Sequence, residues 1–102
     1  MIKINITLTR TNTAAPWLYE TTLPWFLTWE NYLQSTYIDT GKLEQTPKIQ
    51  SADRLTTTFT ATFKDLVSYK EYKTDATQID FVSKRDQYYQ ENGIIAEYER
   101  VL

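Results

Sequence analysis

"RLTTTFTATF", residues 54–63, sets Leu55, Phe59, Ala61 and Phe63 against Thr56, Thr58, Thr60 and Thr62. A repeat of two is the period of a β-strand, whose successive side chains point to opposite faces. Threonine is β-branched and polar, so the second set suits the wet side of a sheet and the first set its core side. "MIKINITLTR", residues 1–10, has the same design, with Ile2, Ile4, Ile6 and Leu8 alternating with Lys3, Asn5, Thr7 and Thr9. Both segments read as half-buried strands.

Between them lies a loop, "RTNTAAPW" (residues 10–17), followed by a helical pattern from Leu23 to Tyr37. Thr22 is positioned as its N-cap, and Pro24 falls where a helix tolerates proline. Phe26, Trp29, Leu33 and Tyr37 form its apolar stripe. Gly41 falls in the following loop. A hairpin comes next, with arms at Glu44–Ser51 and Leu55–Phe63 and the turn near "ADR" (residues 52–54). Pro47 cannot donate to a ladder, which makes the first arm an edge strand.

Beyond the hairpin, Asp65 caps a short helix carrying Leu66, Tyr69 and Tyr72. The pattern breaks at Thr74 and Asp75, and Asp75 with Gln78 resembles a capping box for a second helix. Ile79, Val82 and Tyr89 form its expected stripe. Asp86 falls among them and reads as a helix-edge carboxylate reaching solvent or a neighbouring tyrosine. Asn92-Gly93 stops the helix, and "IIAEYERVL" (residues 94–102) reads as a final strand.

Composition removes several chemistries. The 102 residues correspond to one α+β domain spanning 1–102. There is no cysteine, hence no disulfide, thiolate nucleophile or thiolate zinc site. There is no histidine, the commonest general base and metal ligand. No catalytic residue, metal ligand or cofactor is expected. A formal charge of −2 gives no footprint for nucleic acid. The N-terminus lacks the continuous apolar run of a signal peptide, and no segment has the roughly 18 apolar residues of a membrane span. No membrane partner is expected, and the expected compartment is the cytoplasm, the host's if the source is viral.

The order strand, helix, strand, strand, helix, strand resembles the ferredoxin-like α+β sandwich over the whole chain. That resemblance implies a four-stranded antiparallel sheet with helices on one face. The first and last strands would be neighbours, and Thr56, Thr58, Thr60 and Thr62 would lie on the open face. It also resembles the dimeric α+β barrels, which include small monooxygenases; their haem-binding members use a histidine that this chain lacks. In composition the chain looks like small proteins of tailed phages of unassigned role.

RNA-recognition domains share this element order. Their stacking aromatics would fall on Thr58, Thr60 and Asn5, and no hydroxyl supplies a π face. Ice binding would need the threonine row repeated over flat rungs, and the chain has one row and no repeat. Glu97 and Glu99 share a face without a third acid and read as surface charges. "WLYETTLPWFLTWENYLQSTY" (residues 17–37) holds all three tryptophans. Trp25, Tyr32 and Thr36 widen the apolar face to about 140°, beyond the roughly 100° needed for one-sided packing. The widened face has two explanations: contact with a partner, or cover by the loop carrying Trp17 and Tyr19. The expected function is therefore association, as a homodimer or an accessory subunit, through Trp25, Trp29 and Tyr32 and the threonine row. The second reading is a small-molecule-binding or cofactor-free enzymatic α+β barrel, marked by an enclosed pocket on which polar groups converge.

Overall fold

The computed structural model describes all 102 residues. Strand β1 (Ile2–Arg10) is followed by α1 (Pro24–Leu33), then by β2 (Leu43–Gln45), β3 (Ile49–Gln50) and β4 (Thr56–Phe63). Helices α2 (Leu66–Thr74) and α3 (Ala76–Glu91) lead to β5 (Ile94–Arg100). The sheet order is β2-β4-β1-β5, with β3 pairing β4 beyond the end of β2. All pairings are antiparallel. Taking β2 and β3 as one interrupted arm, this is the ferredoxin-like βαββαβ sandwich expected from the sequence.

Register follows the apolar pattern, because a slip of one residue would turn every isoleucine of β1 to the wrong face. Ile6 pairs with Phe59 and Ile4 with Ala61 on the core side. Thr7 pairs with Thr58 and Asn5 with Thr60 on the open side. Thr57 faces inward and is fully buried, its hydroxyl 3.0 Å from that of Tyr19. Strand β5 adds Glu97 opposite Thr7 and Glu99 opposite Asn5 on the open face. The edge arm breaks at Thr46–Lys48, around Pro47, and there the Thr46 hydroxyl accepts from the Thr60 N–H at 2.8 Å.

Several local expectations are corrected. The first helix is capped by Leu23 and not by Thr22, and no side chain caps it; Pro24 stands at its first position. It does not run on as an α-helix to Tyr37 but widens into a π turn over Gln34–Ile38, closed by Asp39 N–H to Gln34 C=O at 2.8 Å. The stripe of Phe26, Trp29 and Tyr37 is buried nonetheless. On α3 the buried residues are Gln78 and Phe81, while Ile79 is exposed. Of the expected stripe only Ile79 departs, since Val82 and Tyr89 are half-buried and pack against the core. Asp86 is exposed and accepts from the Arg85 guanidinium at 3.0 Å. No helix is long and apolar enough to cross a membrane.

The pairing of β5 with β1 places the last strand inside the cooperative unit. Deleting residues 95–102 is expected to abolish the cooperative thermal transition followed by circular dichroism. A truncated chain that keeps the full transition would contradict this register.

Candidate functional site

The helices cover the sheet incompletely. Between the two layers lies a cleft of about 580 Å³. Its sheet wall is apolar, carrying Ile4, Ile6, Leu8, Phe59 and Ala61, and Leu33 and Ile38 close it from the side of the first helix. The helical wall brings polar groups among its apolar ones, Tyr72, Gln78, Arg85 and Tyr89 from α2 and α3, while Tyr98 of β5 stands on the sheet wall beside Ile6. Such a volume, mostly apolar with a few directed polar groups, is the usual form of a small-molecule site.

Gln78 is the most constrained polar group in it. The residue is 1% exposed. Its Oε1 accepts from Trp29 Nε1 at 3.0 Å. The indole can only donate, so this bond fixes which way the amide points. The Nε2 amide group is buried and makes no hydrogen bond of normal geometry, although it lies against the Tyr72 hydroxyl, a phenol whose pKa burial raises and this amide draws down. An unmade hydrogen bond of this kind costs about 1–3 kcal/mol. The capping-box reading of Gln78 fails for a definite reason. Asp75 both ends α2 and caps α3, and its own N–H is used up on Glu71 C=O at 3.0 Å. The box has no donor left for Gln78, whose side chain is free to turn inward.

Asp75 holds this wall in place. Its Oδ1 accepts from the N–H groups of Thr77 at 2.9 Å and Gln78 at 3.4 Å. Its Oδ2 accepts from the hydroxyls of Tyr37 at 2.6 Å and of Tyr32. Partial burial pushes this carboxyl up, but the bonds from Tyr32, Tyr37 and the backbone outweigh it and hold the pKa below the ordinary value. Burial, and then the bond to Asp75, push Tyr37 up.

Lys48, in the gap of the edge arm, also lines the cleft. Its ammonium lies 4.7 Å from the centre of the Phe59 ring and 5.5 Å from that of Tyr19. Burial lowers its pKa, against a small opposing pull from Glu30. Arg85 lies 5.5 Å from the Tyr98 ring and 5.9 Å from the Tyr89 ring. Burial works to lower its pKa, and Tyr98 and Asp86 more than reverse this. Burial raises Tyr72, Tyr89 and Tyr98. At neutral pH these phenols therefore stay protonated, with an O–H available to donate.

The residues singled out from the sequence are dispersed. Trp29 is only 6% exposed, stacked on Phe81 at 6.0 Å, and its ring belongs to the interior. Tyr32 is half-buried, tied to Asp75, and packs on Tyr37 and Phe81. Trp25 is half-buried, with its edge to Phe26 at 6.2 Å, above a shallow groove shared with Thr28, Thr77 and Lys84. Of the loop, Leu18 packs into the same cluster as Phe26 and Trp29, while Trp17 turns to the sheet beneath the Arg10 guanidinium at 4.0 Å. Thr56, Thr58, Thr60 and Thr62 lie together on the open sheet face, distant in role from the cleft; Thr60 donates to Asn5 at 3.1 Å. Sequence reasoning missed Lys48 and the inward turn of Gln78. The one signal for Gln78 was that it shared its N-terminal turn with an acid already serving two helices.

No protein-family model matches the chain, and no curated protein matches it. Among solved structures it is similar to a dimeric ferredoxin-like protein from an uncultured marine organism. The two share 14% identity over 100% of this chain and 95% of the other, with a TM-score of 0.53. At this identity the likeness is one of fold. It agrees with the ferredoxin-like reading and lends no support to the likeness to phage proteins.

The Asp75 bonds carry a pH signature. Its folded pKa is depressed, so the stability it contributes is present above the unfolded carboxylate value of about 3.9 and is lost as pH falls through the folded value. Asp75→Asn keeps a capping oxygen but removes the charge. The variant is expected to be about 1 kcal/mol or more less stable at pH 7, and to lose less further stability than wild type between pH 5 and pH 2. Urea midpoints across that range, with parallel slopes for the two proteins, would reject the role given to Asp75.

Proposed function

We propose that this chain is a small-molecule-binding domain, and that its ligand occupies the cleft between the sheet and the helices. The observation that carries this reading is the unpartnered Gln78 amide on the wall of a mostly apolar cleft. A domain of this size has every reason to fill its interior, since close packing is the normal state of a core. A volume of about 580 Å³ left open, with a buried donor in its wall, fits a ligand-binding role better than a purely structural one.

A second reading, self-association, is favoured by the open face. The threonine row is flanked there by Ile49 and Ile95, exposed at 67% and 62%. The solved structure of similar fold is described as dimeric. Two copies meeting through this face would cover both isoleucines and leave the cleft of each copy untouched, so the two readings are compatible. In this arrangement Thr56, Thr58, Thr60 and Thr62 are interface residues, while Trp25 and Tyr32 stay at the edge of the helical layer.

Binding in the cleft is tested by filling it. Leu33→Trp, with folding verified by circular dichroism, is expected to abolish the fluorescence enhancement of an apolar naphthalene probe that wild type produces at micromolar concentration. Equal enhancement by both proteins would place the probe elsewhere and reject the cleft. Self-association is tested by sedimentation over a concentration series. Thr58→Glu is expected to move a wild-type dimer to monomer, because facing copies would bring like charges together. A wild type that stays monomeric at high micromolar concentration would reject it.

A further inference from the structure

The geometry points to an apolar acid as the ligand of this cleft: a molecule whose hydrocarbon or aromatic body lies on the sheet wall, with an anionic group received by Lys48 and an acceptor atom received by Gln78. This inference rests on the cleft being a ligand site and adds the chemistry of what it takes.

Three observations carry it. The first is the charge of the lining. The chain as a whole is net negative at −2, yet the cleft is lined by three cations, Lys48, Lys73 and Arg85, against one carboxylate, Glu30. Arg85 is paired with Asp86, whereas Lys48 has no ion pair within 4 Å. Lys48 is solvent-exposed, and its unpaired ammonium lies over the rings of Tyr19 and Phe59 in the cleft lining, where an anion can reach it.

The second is Gln78. Its orientation is fixed by Trp29, so the group it leaves unpartnered is a donor and not an acceptor. A hydrocarbon would leave that donor unpaired, and a ligand carbonyl, carboxylate or sulfonate oxygen would satisfy it. The third is the division of the walls. Ile4, Ile6, Leu8 and Phe59 offer only dispersion and burial, while the neutral phenols of Tyr72 and Tyr89 add donors on the side of Gln78. Selectivity then comes from the buried donor, since a site built to hydrogen-bond rejects analogues that lack the partner atom.

A matched pair of probes tests this. 8-Anilinonaphthalene-1-sulfonate and N-phenyl-1-naphthylamine share one apolar body, and only the first carries an anion. Fluorescence titration of wild type is expected to give at least tenfold tighter binding of the sulfonate. Lys48→Met is expected to abolish that preference while leaving the neutral probe unaffected. Gln78→Glu keeps the acceptor that Trp29 needs and replaces the donor with an anionic oxygen; it is expected to weaken the sulfonate at least tenfold and to spare the neutral probe, whose amine can donate. If both probes bind wild type equally, or if neither substitution changes their ratio, the acid is wrong and cleft binding stands. If neither probe binds wild type, the cleft is not a ligand site and this inference falls with it.

Discussion

Asp75 accepts four hydrogen bonds from two directions, and the placement of the helical layer depends on it. One oxygen holds the first turn of α3, and the other holds two tyrosine hydroxyls, one from α1 and one from the π turn that follows it. A single carboxylate therefore ties the first helix to the junction of the other two. Hydrogen bonds to an ionised acceptor are about twice as strong as neutral ones. The π turn suits this geometry, since it ends with Tyr37 buried and its hydroxyl on the carboxylate. Because this tie lies at one end of the layer, it sets where the helices stand over the sheet and thus how much room is left beneath them.

That room is bordered by two groups of aromatic side chains, one within the helical layer and one joining α2 to the sheet. Trp29 stacks on Phe81, and Phe26 presents an edge to Trp29. On the other side Phe63 receives the edges of Tyr69 and Tyr72. Each cluster props one margin of the layer, and the cleft runs between them. Stiff rings of this kind gain most of their energy from burial plus offset or edge contacts. They hold their spacing where flexible aliphatic chains would collapse into the gap.

The loop between β1 and α1 is anchored by a buried cation. Arg10 is 7% exposed and lies over Trp17. It donates to Ala15 C=O at 2.7 Å and to Arg54 C=O at 3.0 Å. A buried guanidinium without a carboxylate is tolerable because carbonyls and a π face take its donors and its charge. Arg54 itself has a left-handed backbone, with φ of 62°, in the turn that leads into β4. The loop, the hairpin turn and the first strand thus meet at one side chain, and Tyr19 is held against Thr57 beside the Lys48 end of the cleft.

The strands were legible in the sequence because a half-buried strand writes its environment into every second residue: Ile2 to Leu8 and Leu55 to Phe63 needed no tertiary information. The break at Asp75, the stop at Gly93 and the edge position of the Pro47 arm were legible too, since each rests on a local backbone property, capping, a left-handed φ or a missing N–H. The facing of the helices was less so. On α3 the apolar residues spread around the helix, and Ile79 stays exposed because the layer beneath it ends in a cleft and not in packed core. The cleft itself was not legible. Whether Gln78 closes a capping box or turns inward depends on what Asp75's N–H has already bonded, and whether Lys48 reaches over Phe59 depends on how the edge arm pairs with β4. Those are contacts between residues apart in the chain, and only the packed structure decides them.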